Sequence, residues 1–241
     1  MSDYFDFVNE PITYLRKSIF KKLISKIKFG TILDLGCGSV GHYWSLGYIN
    51  EVENVSFVDY NNNNIIELES IITNLDPTLI ESNFGDTIYF LLQNNIIKPS
   101  SNHESIAVDI VSKVNNLQVY DFLNEPMDVK FDYILTLESI ECVQSEKEFI
   151  LALNNIAAML QPEGKLLCHT LRYQNKTDYT KQMIIDKMEG EFNPSISQLQ
   201  QCFDNSNLKL EWIESTNSFD HSGVAKDINH NEAIFLEASL R

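Results

Sequence analysis

Apolar residues recur with helical and then strand-like spacing along the first third of the chain. Pro11, followed by apolar residues three and four positions apart, predicts a helix that ends near Gly30. The short apolar segments Thr31–Leu35 and Val55–Val58 predict buried strands, and Asn63–Ile72 predicts a helix behind the second strand. Strands that alternate with helices in this way indicate a parallel sheet.

The same alternation continues after a less regular segment, 77–116, which we expect to be a helical excursion. Ser145 and Glu148 form a capping pattern for a helix over 145–160, and the turn Gln161–Gly164 leads into a further strand. The other predicted elements are the strands Leu117–Tyr120, Phe131–Leu137, Lys165–Leu171, Leu208–Ile213 and Ala233–Leu240, a helix from Ser195 and a polar loop over 216–230. Together these elements predict a Rossmann-like α/β fold: a seven-stranded, mostly parallel sheet with helices on both faces and an antiparallel last strand.

Length and composition restrict the class of protein. A chain of 241 residues, 44% of them hydrophobic, is ordinary for a single α/β domain over 1–241. No apolar run approaches the roughly 20 residues that cross a bilayer, and the N-terminal residues do not resemble a signal peptide. We therefore expect a cytoplasmic protein without membrane association.

Charge and cysteine content exclude other partners. The 34 acidic and 18 basic residues give a net charge of −16, which opposes binding to nucleic acid. The four cysteines are widely spaced and form no C-x-x-C pair, so we expect reduced thiols and no metal site. The predicted partner is a small molecule, and the predicted assembly is a monomer or a weak homodimer.

A glycine-rich segment follows the first predicted strand. Its glycines at positions 36, 38 and 41 match the dinucleotide-binding pattern, which alone is a weak signal. Asp34 stands two residues before the first glycine, where a carboxylate would repel a pyrophosphate but attract the ammonium of a methionine moiety. This charge favours S-adenosylmethionine over a nicotinamide or flavin nucleotide, although a turn carboxylate remains an alternative.

Further candidate cofactor residues end the next two strands. Asp59 can accept hydrogen bonds from the ribose hydroxyls of a nucleoside, or it can cap the helix that follows. Tyr120, Asp121 and Phe122 can enclose an adenine and bind its amino group, or they can belong to the core. Thr136, in the fourth strand, is a further expected cofactor contact.

Three motifs carry a resemblance to a known family. They are Ile32-Leu33-Asp34-Leu35-Gly36-Cys37-Gly38, Val58-Asp59-Tyr60 and Leu160-Gln161-Pro162-Glu163-Gly164-Lys165-Leu166. All three look like motifs of class I S-adenosylmethionine-dependent methyltransferases. A narrower resemblance covers most of the chain and is to the small-molecule methyltransferases of the nicotinamide, phenylethanolamine and thioether type.

This resemblance implies roles for residues that spacing does not explain. The loop Gly36-Cys37-Gly38 would bind the cofactor, with Asp59 on its ribose and Tyr60 and Asn64 lining it. An N-terminal lid over 1–30 would bring Tyr14 to the cofactor and Tyr4 to the substrate, and 77–116 would be the family's insertion before the third strand.

The same family places an acidic residue after the fourth strand against the substrate nitrogen. Glu141 occupies that position here, with Glu138 as a neighbour that can share its work. Tyr173 and His230 stand where the phenylethanolamine enzyme has further acids, which sets this chain apart from that enzyme. His169 is a candidate base near the pocket or, alternatively, a core histidine.

Three hypotheses for function follow. The first is methyl transfer to a small-molecule nucleophile, foremost an amine or pyridine nitrogen, with Glu141 anchoring the cation and accepting its proton. The second is an enzyme that cyclises or breaks down S-adenosylmethionine without an external acceptor. The third is a macromolecule methyltransferase or a non-catalytic partner subunit, which the acidic charge disfavours for nucleic acid.

Overall fold

A computed structural model describes residues 26–38, 52–74, 111–137, 139–173, 192–217 and 231–241. In chain order its elements are β1 (Gly30–Leu35), β2 (Val52–Asp59), α1 (Asn62–Asn74), β3 (Val114–Val119), β4 (Phe131–Leu137), α2 (Glu146–Met159), β5 (Leu160–Tyr173), α3 (Ile196–Asp204), β6 (Leu208–Asn217) and β7 (Asn231–Leu240).

The strands form a seven-stranded sheet in the order β3-β2-β1-β4-β5-β7-β6. The pairs β1–β2, β2–β3 and β4–β5 are parallel, whereas β7 runs antiparallel to both β5 and β6. The predicted fold class is therefore confirmed, including the antiparallel last strand. By its contacts the chain divides into two compact units, residues 1–119 and residues 120–241.

The first unit is built on strands whose side chains are buried on both faces. Ile32 and Leu33 are adjacent in β1 and both are fully buried, as are Phe57 and Val58 in β2. Adjacent residues of a strand point to opposite faces, so both sides of these strands are covered, as is usual in parallel sheets. Leu68 of α1 is also fully buried. This double burial explains why the sequence shows continuous apolar runs here.

In the second unit, β4 and β5 pair around a local irregularity. Phe131 pairs with Leu160, but Tyr133 pairs with Lys165, so residues 161–164 bulge out of the ladder. The predicted turn Gln161–Gly164 is this bulge, and β5 therefore begins five residues before the predicted strand. A Cβ at Gly164 would lie 2.8 Å from the carbonyl oxygen of Phe131, which explains the glycine.

Side-chain caps begin the two helices of the second unit. The Ser145 hydroxyl accepts a hydrogen bond from the Glu148 backbone N–H, as the capping pattern predicts, and Phe149, Leu153 and Ile156 of α2 are buried. Ser195 and Gln198 form a full capping box for α3. N-cap chemistry therefore begins both helices, and the sequence predicted a helix at each serine, from a capping pattern only for Ser145.

Two further predicted boundaries differ from the structure. β3 begins at Val114, within the segment expected to be helical, because residues 114–119 pair with β2. β6 continues to Asn217, into the predicted polar loop, because its last residues pair with β7. In both cases ladder pairing with a distant strand extended the element beyond its apolar core.

The single domain with a lid over 1–30 and an insertion over 77–116 stays a prediction, since most of both segments lies outside the described residues. No described helix is long and apolar enough to span a membrane. Among the same residues no group of three or more His, Cys, Asp or Glu side chains is placed to hold a metal ion. All four cysteines are free thiols.

Candidate functional site

The glycine loop in the first unit bends tightly over the end of β2. The backbone N–H groups of Gly36 and Cys37 both donate to the Val58 carbonyl, at 2.8 and 3.1 Å. Gly36 and Gly38 have φ values of 82° and 65°, which residues with a Cβ rarely adopt. The two glycines are therefore required for this turn, and the loop lies at the carboxyl ends of β1 and β2, the edge where open α/β sheets bind ligands.

Asp34 is the buried acid of this loop. The residue is 1% exposed, and its Oδ2 atom has no hydrogen-bond partner among the described residues. Burial, with a smaller contribution from the Asp59 charge, raises the pKa of Asp34 to about 8. A buried carboxyl with an unused oxygen can bind a cationic group, which fits the ammonium of a methionine moiety.

Asp59 is held by three hydrogen bonds. Its Oδ2 accepts the Gly38 backbone N–H at 2.9 Å. Its Oδ1 accepts the Asn61 backbone N–H at 2.8 Å and the Asn64 side-chain amide at 3.1 Å. A carboxylate has about four acceptor positions, so one is left for a ligand. Asp59 thus joins the glycine loop to the start of α1, and its expected role on the ribose stays a prediction.

The neighbours of Asp59 differ in exposure. Tyr60 is 66% exposed, so its ring is accessible beside the acid. Asn64 was expected to line the cofactor, and the structure places its amide on the acid itself. Burial raises the pKa of the Cys37 thiol, which donates to the Gly38 carbonyl and stays protonated. Cys37 therefore contributes a neutral side chain to the loop.

In the second unit, the segment Tyr120–Phe122 that follows β3 is ordered by a turn. The Asp121 Oδ1 atom accepts the Leu123 backbone N–H at 2.9 Å, and the Asp121 carbonyl accepts the Asn124 N–H at 3.0 Å. The Tyr120 hydroxyl donates to the Glu125 carbonyl at 3.3 Å. All three residues are partly exposed, so none is a simple core residue.

Glu141 is a buried acid beyond the carboxyl end of β4. It lies in a turn closed by the hydrogen bond from Cys142 N–H to the Ser139 carbonyl, and it is 7% exposed. Burial is the main cause of the raised pKa of the Cys168 thiol on β5, and the charge of Glu141 adds to it. Thr136 is fully buried and pairs with Cys168 across β4 and β5.

His169 belongs to the core. It is 1% exposed, and its ring centroid lies 4.8 Å from that of Phe235 on β7. Burial lowers the pKa of His169 to about 3, so its imidazole is neutral and only weakly basic. Of the two roles considered for this histidine, a base near the pocket and a core residue, the structure supports the core residue.

Several predicted site residues lie outside the described residues: Tyr4, Tyr14, Glu138 and His230. The same holds for the side chain of Tyr173, whose backbone ends β5. The roles expected for these five residues stay predictions.

Sequence reasoning did not single out two asparagines that organise the site segments. Asn61 bonds to Asp59, and its own side-chain oxygen accepts the Asn63 N–H at 3.0 Å. The Asp-x-Asn spacing before a helix is a signal that could have shown this turn. Asn155 of α2 bonds to the carbonyls of Phe122 and Asn124, which lie 33 and 31 residues away. No local pattern indicates such a contact.

Several solved structures share the fold of this chain. A methyltransferase from Clostridium acetobutylicum that depends on S-adenosylmethionine has a TM-score of 0.53 at 13% identity, over 96% of this chain and 92% of its own. The N-methyltransferase NodS from Bradyrhizobium japonicum, solved with S-adenosylhomocysteine, has a TM-score of 0.56 at 11% identity. The match covers 95% of this chain and 88% of NodS. A geranyl diphosphate methyltransferase solved with S-adenosylmethionine has a TM-score of 0.61 at 11% identity, over 94% of this chain and 86% of that enzyme. At such low identities the TM-scores show a shared fold, that of class I methyltransferases.

The family follows from a match to the sequence itself. Residues 7–212 match the model of a methyltransferase domain, so the chain belongs to that family. No curated protein sequence is significantly similar to it. The expected class, a methyltransferase that uses S-adenosylmethionine, is confirmed, whereas the narrower nicotinamide and phenylethanolamine type is not shown.

Proposed function

We propose that this methyltransferase transfers the methyl group of S-adenosylmethionine to a small-molecule nucleophile, an amine or pyridine nitrogen. The main support for a nitrogen acceptor is the burial of Glu141 beyond the carboxyl end of β4. A carboxylate shielded from water attracts a cation more strongly than one in solvent, because the lower local dielectric weakens screening. Glu141 can therefore bind a substrate ammonium, and the resemblance drawn from sequence places an acid here for the same purpose.

The cofactor residues support the same reading. When bound, S-adenosylmethionine supplies a methyl group on a sulfonium, which is already activated for displacement. Asp34 would hold the methionine ammonium, because its buried Oδ2 has no partner among the described residues. Asp59 would hold a ribose hydroxyl with the acceptor position that its three hydrogen bonds leave.

The protein's own contribution to the reaction is then alignment and proton transfer. An ammonium has no lone pair, so it must lose a proton before it can attack the methyl group. Glu141 would orient the ammonium and accept that proton at a carboxylate oxygen, directly or through water. His169 is too weakly basic for this role, given its pKa of about 3.

The test compares Glu141→Gln with the matched control Glu163→Gln, which alters an exposed acid in the bulge between β4 and β5. Product S-adenosylhomocysteine is measured with each member of a panel of small amines and pyridines, and cofactor affinity by calorimetry. We expect Glu141→Gln to lower kcat/KM by about 10²-fold with cofactor affinity unchanged. The control should resemble the wild type.

Three results would overturn the proposal. Equal activity of Glu141→Gln and the wild type on amines would remove the acid from the mechanism. S-Adenosylhomocysteine or other cofactor products formed without any acceptor would show chemistry on the cofactor itself. Absence of S-adenosylmethionine binding would contradict the roles given to Asp34 and Asp59.

A further inference from the structure

Asn155 holds the segment Tyr120–Phe122 through its side-chain amide. The Nδ2 atom donates to the Phe122 carbonyl at 2.9 Å and to the Asn124 carbonyl at 2.7 Å. An asparagine amide has two N–H donors, so both are used on this one segment. The bonds join α2 to a turn more than 30 residues earlier in the chain.

These bonds restrain a peptide group that is also hydrogen-bonded to Asp121. The peptide between Phe122 and Leu123 has its carbonyl held by Asn155 and its N–H held by the Asp121 Oδ1 atom. A peptide group is planar, so restraining its two ends prevents it from rotating. The carboxylate of Asp121 is thereby held on one oxygen, which restricts the directions that the other oxygen can take.

We propose that Asn155 is a positioning residue for recognition of the adenine amino group by Asp121. The inference rests on the proposed function, in which the cofactor is an adenine nucleoside. The carboxylate of Asp121 accepts hydrogen bonds, and the 6-amino group of adenine donates them. Without Asn155 the Phe122–Leu123 peptide keeps only its bond to Asp121, and the carboxylate of Asp121 is no longer held in the orientation that this contact requires.

The neighbouring residue offers a matched control. Asn154 is also on α2, and its side-chain oxygen accepts the Asn207 backbone N–H at 2.8 Å. Asn154→Ala removes one long-range hydrogen bond from the same helix without touching the Tyr120–Phe122 segment. A loss that is merely structural should therefore affect both variants alike.

The experiment is a calorimetric titration of wild type, Asn155→Ala and Asn154→Ala with adenosine and with inosine, which carries an oxo group in place of the 6-amino group. We expect the wild type and Asn154→Ala to prefer adenosine by about tenfold or more, since an oxo group facing a carboxylate cannot donate. In Asn155→Ala the adenosine-to-inosine ratio should fall close to one. Asn155→Ser, which keeps one donor, should give an intermediate ratio and serves as the test if the alanine variant does not fold.

The outcomes separate this inference from the proposed function. Asn155 variants that keep the wild-type adenosine preference overturn the positioning role, as does a wild type that binds both nucleosides equally. If the wild type binds S-adenosylmethionine, either of these two results overturns only the role of Asn155 and leaves the proposed function unaffected. A wild type that binds neither S-adenosylmethionine nor adenosine contradicts both.

Discussion

At the scale of single residues, Asp34 shows how burial changes the chemistry of a group. The sequence places this acid before the glycine loop, and the structure adds that it is 1% exposed and close to Asp59. Both effects favour the protonated carboxyl. Without cofactor, Asp34 is therefore a neutral acid over much of the physiological pH range, while the carboxylate is the form that attracts an ammonium.

The raised pKa has consequences for stability. A carboxyl of the unfolded chain ionises near 3.8, whereas that of Asp34 in the folded protein ionises near 8. Between these values the folded state holds a proton that the unfolded state lacks, so this group's contribution to stability falls as the pH rises through that window. Asp34→Asn, which cannot ionise, should raise the free energy of unfolding at pH 7 by roughly 1–4 kcal/mol in cofactor-free protein. Urea denaturation at pH 5 and pH 7 measures this, and a gain that does not increase with pH would contradict it.

The same substitution should weaken cofactor binding. Loss of the carboxylate removes the partner of the methionine ammonium, so affinity for S-adenosylmethionine should fall by about 10- to 100-fold. Affinity for 5′-methylthioadenosine, which lacks the ammonium, should change little. In the wild type, S-adenosylmethionine affinity should rise with pH up to about 8, with proton release detectable by calorimetry in buffers of different ionisation enthalpy.

At the scale of elements, side chains at the ends of helices and strands determine where each element stops. Arg241 follows β7 and reaches back to the end of α3. Its Nε donates to the carbonyls of Ser206 and Leu208, at 3.0 and 3.1 Å, and its Nη2 donates to the Phe203 carbonyl at 3.0 Å. These bonds add a charged donor to carbonyls at the end of the helix and in the following turn, one of which, that of Phe203, also accepts the Ser206 backbone N–H.

Arg241→Ala should therefore lower the free energy of unfolding by about 1–3 kcal/mol, because three partly buried carbonyls lose a charged donor. The ion pair with Asp204, 3.6 Å away and largely exposed, should contribute little. Asp204→Ala is the matched control and should have a small effect in the same urea titration. Equal losses in the two variants would assign the stabilisation to charge instead of to the capping bonds.

At the scale of the whole molecule, the dominant property is the net charge of −16. Like charges on a folded surface repel, and the repulsion weakens as salt screens it. The melting temperature should therefore rise by a few degrees between about 0.02 and 0.3 M KCl and then level off as the screening length shortens. A melting temperature that falls with salt would show that attractive ion pairs outweigh the repulsion.

The sequence alone determined most of the sheet and the position of the glycine loop. Double burial of β1 and β2 gives apolar runs, and left-handed turns favour glycine, so a few consecutive residues contain the signal. The caps at Ser145 and Ser195 are local in the same sense, which is why the helix starts were predictable. The roles of Asp34 and Asp59 in binding followed from charge and position, and they stay proposals.

Only the tertiary structure decided features that join distant residues. The early start of β3 depends on pairing with β2, and the bulge before Lys165 depends on its register with β4. The neutral state of His169 depends on burial, and the two bonds of Asn155 depend on a helix packing against a turn 31 to 33 residues away. Sequence patterns such as apolar runs and caps depend on residues that are neighbours along the chain. Burial, register and long-range hydrogen bonds exist only once the chain has folded, because folding alone brings their partners within reach.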